Sequence, residues 1–275
     1  MTDLIDRADV ERVLRDPRFT VPEAEVDAGR PMDRFRSRAS RFANGATHAR
    51  RRAHLLDLLG RLDDRRLAAD AAARTRALIA GAQSLDLDVA GIARHVPVAC
   101  LAGQLGFAQP DEAPRLVAEV AGAYASGTES DAADAAIGRL LATAPRRADR
   151  AVHPTSRGAG PDDDAELRVQ LLVQAYAATA ALVEAAVRRA ATAPAVTTTA
   201  DLLAATLRDD PPVRLTRRVD PDGASVVLRF DGADRDGGPG RPPRTLAFGA
   251  GPRACPASGP ALAIAGAIVE EVRAC

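Results

Sequence analysis

The sequence predicts a mainly α-helical protein with a small β-sheet. Apolar side chains recur at helical spacing along most of its 275 residues, whereas only two short stretches alternate as strands do. The 19 prolines and 21 glycines interrupt this pattern at short intervals and mark the ends of helices. A hydrophobic fraction of 47% suffices for a core, and with six Phe, two Tyr and no Trp that core must consist mainly of Ala, Leu and Val.

Nine segments have helical patterning, and two have the pattern of strands. The helices are predicted at Ala8–Arg15, Ala46–Arg61, Arg65–Ala82, Leu87–Leu105, Asp111–Ala125, Asp131–Leu141, Asp164–Ala190, Ala200–Arg208 and Pro256–Ala274. The strands are predicted at Val213–Val219 and Ser225–Phe230. The four residues 220–223, Asp-Pro-Asp-Gly, are a strong turn signal and join the two strands in a hairpin.

The segment Asp164–Ala190 is the most informative of the predicted helices. Between Leu171 and Val183 it is apolar on every side apart from Gln174 and Thr179, which predicts a helix through the middle of the molecule. Its centre, residues 177–181, is flat, and this suits either close helix packing or a flat ligand. Three aspartates at 162–164 are interpreted as caps of this helix rather than as a metal site, since carboxylates at a helix start usually cap.

Composition excludes several classes of protein. All 37 basic residues are arginine, and 37 acidic residues bring the net charge to zero, whereas an obligate nucleic-acid partner requires a basic excess. Cys100, Cys255 and Cys275 are too few for a disulfide framework, and the charged N-terminus is unlike a secretory signal. The apolar windows 96–108 and 261–269 are too short or too interrupted to span a bilayer. We therefore expect a cytoplasmic protein without a membrane partner.

The segment Phe248–Pro256 indicates a specific chemistry. Gly249, Gly251 and Pro252 form a compact turn whose backbone can approach a flat ligand closely. Cys255 follows, just ahead of a predicted helix whose positive end favours a thiolate. A thiolate in this position suits axial ligation of haem iron. The alternative is a buried packing cysteine behind an ordinary strand-to-helix turn.

The same segment resembles the haem-binding loop of the cytochrome P-450 superfamily. The family pattern is Phe, two residues, Gly, three residues, Cys, one residue, Gly. The chain matches it at Phe248, Gly251 and Cys255, and it has Arg253 where the family has His or Arg. It departs from the pattern at Ala257, where the family has glycine.

This resemblance implies a shortened P-450-like fold, in which a central I-type helix and the C-terminal helix enclose the haem. It implies a single haem-thiolate domain over residues 1–275, with haem b as the cofactor and Cys255 as the metal ligand. The lid region between residues 107 and 164 is reduced to two modest helices and a Gly/Pro-rich loop at 156–161. The family's meander is cut down as well, because residues 235–245 lead almost directly to the haem loop.

Cationic side chains along the chain resemble those that bind the haem propionates in the family. His48 and Arg52 are four residues apart and share a helix face, so both can point at one anion. A solvated basic face is the alternative for these two. The resemblance adds Arg217 and Arg253. The implied cofactor-binding residues are His48, Arg52, Arg217, Phe248, Gly249, Gly251, Arg253 and Cys255.

The resemblance also implies residues on the other side of the haem. Ala177, Ala178 and Thr179 lie at the catalytic positions of the central helix, and the first two also face the substrate pocket. Val213, Arg214 and Leu215 complete the implied pocket lining. The family usually has an acid and then a threonine at 177 and 178, to deliver protons, and here both are alanine, with Thr179 one position later.

A further departure concerns the helix predicted at 200–208. The family pairs a glutamate with an arginine three residues later, and this chain has Ala205 before Arg208. Because an unpaired buried charge is costly, Arg208 must find another acceptor or face water. Asp209, Asp210 and a backbone carbonyl are the candidate acceptors.

The expected function is that of a bacterial-type haem-thiolate oxidoreductase acting on a small organic molecule in natural-product biosynthesis. Three chemistries remain open: oxygen-dependent oxidation with a ferredoxin and its reductase, peroxide-dependent oxidation, and a non-oxygenative coupling or rearrangement. The missing acid and hydroxyl favour the last two. The alternative is a catalytically inactive P-450-like accessory protein that stabilises or activates a partner enzyme. A haem-binding sensor or carrier is a third possibility.

Overall fold

The computed structural model describes residues 2–24, 29–82, 87–145, 161–233 and 245–275, and it confirms a mainly α-helical fold with a small sheet. The helices are α1 Arg7–Arg15, α2 Pro31–Arg38, α3 Gly45–Leu59, α4 Asp64–Gly81, α5 Val89–Leu105, α6 Ala113–Ser126, α7 Asp131–Thr143, α8 Pro161–Ala190, α9 Thr199–Asp209, α10 Phe230–Ala233 and α11 Ser258–Arg273. The strands are β1 Thr2–Leu4, β2 Leu215–Val219 and β3 Ser225–Arg229. Short 3-10 turns lie at Ser40–Phe42 and Gly251–Arg253.

Each of the nine predicted helices is present, with its ends shifted by a few residues. The sequence analysis missed α2, α10 and β1. Helix α2 has only two buried residues, Met32 and Phe35, so its sequence has little periodic signal. Strand β1 and helix α10 are three and four residues long, too short for a periodic pattern to be visible.

The sheet has three strands in the order β1-β3-β2. Strand β2 pairs with β3 in the antiparallel sense, with Arg217 opposite Val227 and Arg218 opposite Val226, as the predicted hairpin requires. Strand β1 adds to the other edge of β3 in the parallel sense. The register of β2 matters for function, because it decides which of two adjacent arginines points inward.

Helix α8 runs through the centre of the helical layer and packs against α3, α5, α6, α9 and α11. Residues Asp164–Ala190 are long and apolar enough to span a bilayer, but 61% of their most apolar stretch is buried inside the protein. A core helix passes the same test. The burial therefore agrees with the prediction of a helix through the middle of the molecule.

The start of α8 differs from the prediction. The helix begins at Pro161, so Asp164 lies within its first turns and is not a cap. The Asp164 carboxylate accepts hydrogen bonds from His54 of α3 and Arg168 of α8, at 2.6 and 2.8 Å. Burial raises the pKa of Asp164, but these two bonds outweigh it and hold the pKa at about 2. The side chains of Asp162 and Asp163 lie outside the described residues.

Two hydrophobic cores position the candidate site. The larger one is built from the helices, with α8 and α11 at its centre. The smaller core joins α1 and β3 to the loop before α11, through Leu14, Leu228, Leu246 and Ala250. Most of the segment 235–245 and most of the loop at 156–161, both named in the sequence analysis, lie outside the described residues.

Candidate functional site

The loop Leu246–Cys255 has a compact backbone that its glycines allow. Gly249 and Gly251 have φ angles of 69° and 67°, in the left-handed region that favours glycine. The amide of Gly249 donates to the carbonyl of Leu246, and the amide of Cys255 donates to the carbonyl of Phe248, both at 2.7 Å. These bonds close the loop and fix Cys255 beside Phe248.

Gly251 is also constrained by a close approach to α1. A Cβ atom at this position would lie 2.7 Å from the carbonyl oxygen of Leu14 and 2.9 Å from the Cα of Arg15. Real Cβ atoms do not approach other atoms so closely, and here the contacted atoms belong to backbone. At Gly249 the nearest backbone atom, Ala254 Cα, is 3.7 Å away, which is an ordinary contact. Gly251 therefore has two separate reasons to be glycine.

The two cores hold the loop from both sides. Leu246 and Ala250 belong to the small core with α1 and β3, whereas Phe248 packs against the large helical core. Ala257, the position where the family has glycine, has a φ of −113°. Any residue adopts this angle, so the departure from the family pattern costs the loop no backbone strain.

Cys255 is exposed to solvent, whereas Cys100 is completely buried. The exposure contradicts the alternative in which Cys255 is a buried packing cysteine. Protein atoms around the sulfur nevertheless desolvate it and raise the pKa of the Cys255 thiol, although a bond from the Ala257 amide and the charge of Arg52 act in the opposite direction. The groups expected to stabilise a thiolate are thus present, and desolvation of the sulfur outweighs their effect on the pKa. The exposure is that of the residue's surface to solvent, whereas the desolvation is the effect of surrounding protein atoms, which disfavour a negative charge on the sulfur.

Two arginines tie the loop to the start of α3. The guanidinium of Arg52 donates to the carbonyl of Ala254, one residue before the cysteine. Nη2 of Arg253 donates to the carbonyl of Ala43 at 2.6 Å and to Oδ1 of Asn44 at 2.8 Å. The predicted cofactor residues Arg52 and Arg253 are therefore brought together with Cys255, from segments about two hundred residues apart in the chain.

A cluster of four basic side chains lies beside the loop; it comprises His48, Arg52, Arg218 and Arg253, and we refer to it as the cationic cluster. Burial, together with the charges of Arg253, Arg52 and Arg218, lowers the pKa of His48 to about 4, so this ring is neutral at physiological pH. Burial, together with Arg253 and Arg41, lowers the pKa of Arg218 to about 10. Burial also lowers the pKa values of Arg52 and Arg253.

No carboxylate forms an ion pair with the cationic cluster within the described part of the chain. Glu23, whose oxygen accepts from Asn44, only partly offsets the positive field at Arg253. Arg218 donates to Thr216 Oγ1 and to the Arg217 carbonyl through a single nitrogen, Nη1. Like charges held together under burial are unfavourable unless an anion joins them. Two carboxylates, such as the propionates of haem, fit this cluster in charge and in hydrogen-bonding capacity.

The member of this cluster on strand β2 is Arg218 and not the expected Arg217. Arg218 is 6% exposed and faces Arg253, whereas Arg217 is exposed and points to solvent. Adjacent residues of a strand lie on opposite faces, so an error of one position reverses the direction of the side chain. The structure therefore moves the propionate contact proposed on β2 from Arg217 to Arg218.

Helix α8 has an open face in the middle of its buried length. Gln174, Ala177, Ala178 and Ala181 are spaced by three and four residues and are partly or fully exposed, although buried residues flank them along the helix. Thr179 is buried and lies off this face. Of the three expected catalytic positions, Ala177 and Ala178 are thus on the open face and Thr179 is not. None of these four residues has a carboxylate or a hydroxyl.

The expected pocket residues 213–215 precede or begin strand β2. Val213 and Leu215 are exposed, which is unusual for large apolar side chains. Arg214 is also exposed and donates to Asp210 at 2.8 Å, so its charge is already paired. An apolar ligand could cover Val213 and Leu215, and Arg214 is not available to it without breaking this ion pair.

Arg208 pairs with the next residue of the chain instead of with the glutamate that Ala205 replaces. It donates from Nε to Oδ1 of Asp209 at 2.7 Å, and its side chain is 38% exposed. Asp209 also accepts from Arg189 of α8. Of the three acceptors that the sequence left open for Arg208, the structure shows Asp209, and Ala205 leaves no buried charge at Arg208 without a partner.

The chain is similar in fold to solved structures over nearly its whole length. Over 98% of the chain, the structure is similar to P-450 BioI in complex with an acyl carrier protein that bears hexadec-9Z-enoic acid, with a TM-score of 0.75 and 17% sequence identity. The aligned region covers 83% of that protein. The chain has a cytochrome P-450 fold. This confirms the predicted fold class, in a shortened form.

Two further P-450 structures support the same conclusion. One is a cytochrome P-450 of Mycobacterium smegmatis with econazole bound, which has a TM-score of 0.74 and 20% identity over 99% of this chain and 83% of its own. The other, from the archaeon Picrophilus torridus with 4-phenylimidazole bound, has a TM-score of 0.74 and 16% identity over 99% of this chain and 88% of its own. No protein-family model and no curated protein sequence matches the chain.

Within the P-450 fold, the sequence analysis missed several polar residues near the site. Arg218 could have been found from the alternation of β2, because it occupies the same face as Thr216. Arg36, Arg41 and Tyr124 had no such signal. They come together from α2, the 3-10 turn and α6, which only the tertiary structure brings into contact.

Proposed function

We propose that this protein is a compact haem-thiolate oxidoreductase that acts on a small organic molecule. The observation that carries the proposal is the cationic cluster beside an exposed cysteine, at the end of a loop shaped by two left-handed glycines. A scaffold without haem needs neither the exposed Cys255 nor arginines held together without an anion. For this reason the inactive accessory protein is not favoured.

In this proposal the Cys255 thiolate would bind the haem iron, and Arg52, Arg218 and Arg253 would hold the propionates as charged donors. His48 adds a neutral donor, since its ring is uncharged at physiological pH. Bound haem b with a thiolate ligand supplies the capacity to activate oxygen or peroxide and to oxidise a bound organic molecule. Gly249 and Gly251 give the loop a compact backbone that a flat group could approach closely.

The open face of α8 defines what this chain can contribute to the reaction. Ala177 and Ala178 offer a smooth apolar surface to the substrate but no group that holds or moves a proton. Because neither residue delivers protons, a peroxide-dependent oxidation or a non-oxygenative coupling suits this site better than oxygen activation with a ferredoxin partner. Three free cysteines, Cys100, Cys255 and Cys275, fit a reducing cytoplasm.

The test is the absorption spectrum of the purified protein, reduced and exposed to carbon monoxide. We expect a Soret band shifted strongly to the red, as thiolate ligation produces. Cys255→Ala is expected to abolish this band. Cys275→Ala removes a second exposed cysteine, at the end of the helix that follows Cys255, and is expected to leave the band intact. A protein that takes up no haem contradicts the proposal, and a band that depends on Cys100 shows that the ligand is wrong.

A further inference from the structure

An aromatic group lies next to the open face of α8. The rings of Phe35 and Phe42 flank Tyr124, with centroids 5.4 and 5.1 Å from its ring. The amide of Gln174, on the open face itself, donates to the Tyr124 hydroxyl at 3.1 Å. These contacts connect α2, the turn at 40–42, α6 and α8, so the aromatic group forms a wall at one end of that face.

Two arginines lie on this aromatic wall. The Cζ atom of Arg36 is 4.7 Å from the centroid of Phe42. The Cζ atom of Arg41 is 5.7 Å from Phe42 and 5.8 Å from Tyr124. Stacking on aromatic rings leaves the edge of the exposed Arg41 guanidinium available for an anion.

Neither guanidinium has a hydrogen-bond acceptor within the described residues. Nε of Arg36 is buried there without a partner, and Nη1 of Arg36 lies against the backbone of Gly127 at the end of α6. A buried N–H donor without an acceptor costs free energy, and this applies to Nε of the partly buried Arg36. Arg41 is exposed, so water accepts its bonds until an anion replaces it.

Three acidic residues near α2 are committed to other arginines, whereas Asp33 of α2 itself forms no ion pair among the described residues. Glu166 accepts from Arg38 at 2.5 Å, and Asp131 and Asp134 accept from Arg30 at 2.5 and 2.6 Å. The charge of Arg41 also reaches the cationic cluster, since it lowers the pKa of Arg218. The two propionates of haem would balance two of the three arginine charges in that cluster, so haem has no further carboxylate for Arg36 and Arg41.

We propose that the substrate is an organic anion, a carboxylate with an apolar body, and that Arg36 and Arg41 bind its carboxylate at the aromatic wall. The apolar body lies along Ala177 and Ala178 of the open face. This inference rests on the proposed haem site and adds the substrate class to it. A carboxylate held by two arginines at one end places the opposite end of the substrate over the open face.

The experiment compares matched anionic and neutral probes by equilibrium dialysis with the haem-loaded protein. The pairs are hexanoate with hexanamide, decanoate with decanamide, and benzoate with benzamide. We expect at least one carboxylate to bind about ten-fold or more tightly than its amide, since charge-assisted hydrogen bonds are the strong ones. Arg36→Gln/Arg41→Gln is expected to remove this preference while leaving the affinity for the amide within about two-fold.

Arg34→Gln is the matched control, because Arg34 lies on the same helix, is exposed and makes no side-chain bond among the described residues. It is expected to keep the preference. If the double variant fails to fold, Arg41→Gln alone tests the same point, since Arg41 is exposed. Equal binding within all three pairs, or a preference that survives loss of both arginines, overturns the inference.

Haem content and the reduced carbon monoxide spectrum are recorded for each variant. If Arg36→Gln/Arg41→Gln releases haem as well, the two arginines serve the cofactor and the inference is wrong. If the unaltered protein takes up no haem, the proposed function fails, and dialysis still reports on carboxylate selectivity. The two failures are therefore distinguishable.

Discussion

Arg52 of α3 donates a hydrogen bond to the carbonyl of Ala254, so a helix from the first quarter of the chain holds the backbone next to Cys255. The same guanidinium lowers the pKa of the Cys255 thiol, against the effect of burial. Arg52 therefore has both a structural and an electrostatic role at the site. The two roles can be separated, because only the second alters the reactivity of the sulfur.

Arg52→Gln is expected to raise the pKa of Cys255 further, because the desolvation remains and the nearby positive charge is lost. In a haem-free background with Cys100 and Cys275 replaced by serine, iodoacetamide should then alkylate Cys255 severalfold more slowly at pH 8. The measurement is the alkylation rate as a function of pH. Arg50→Gln, an exposed position on the same helix, should leave the rate unchanged, and equal rates for both variants would refute the electrostatic role.

Arg218→Gln is expected to weaken haem binding about ten-fold or more, because a buried charged donor to a propionate is lost. Arg217→Gln is the adjacent control and should change haem affinity by less than about two-fold. The free energy of unfolding of the haem-free protein should not fall in Arg218→Gln, since the substitution relieves repulsion within the cationic cluster. Titration of the apoprotein with hemin, together with urea unfolding, measures both effects. A larger effect of Arg217 would restore the sequence-based assignment.

Gly251→Ala is expected to lower the free energy of unfolding by about 3 kcal/mol or more, since it combines left-handed strain with overlap of the Leu14 carbonyl. Gly249→Ala has nearly the same φ without the close contact, so we expect a loss of only about 1 kcal/mol. Urea unfolding of the two variants gives the comparison. Equal losses would mean that the approach of α1 to the loop is not tight in solution.

His48 is expected to make the haem-free protein sensitive to acid. Its folded pKa of about 4 lies below the ordinary value of 6.5, so the unfolded chain binds the proton first as the pH falls. Its contribution to stability is thus complete above pH 6.5 and is lost as the pH falls to about 4. Between pH 7 and 4.5 we expect the free energy of unfolding to fall by about 1 kcal/mol less in His48→Gln than in the unaltered protein. This figure is reduced for the partial exposure of the ring. A parallel decline of both proteins in urea unfolding would contradict this pKa.

Local signals in the sequence predicted most of the secondary structure and the centre of the site. The helical period located α8, and the Asp-Pro-Asp-Gly turn located the β2–β3 hairpin. Both predictions succeeded because each signal is contained within a short stretch of sequence. Gly249, Gly251 and Cys255 were found for the same reason. Elements with few apolar residues, such as α2, have no such signal, and sequence analysis missed them.

The sequence by itself determined that the protein is mainly helical, that a glycine loop presents Cys255, and that basic residues accompany it. The tertiary structure decided which basic residues these are. Arg217 and Arg218 are chemically identical neighbours, and only the pairing of β2 with β3 turns the second one inward. Likewise, only the packing of α2, the 3-10 turn and α6 brings Arg36 to Phe42 and Arg41 to Tyr124. Residue type and short spacing are local properties, whereas burial and charge proximity depend on segments far apart in the chain.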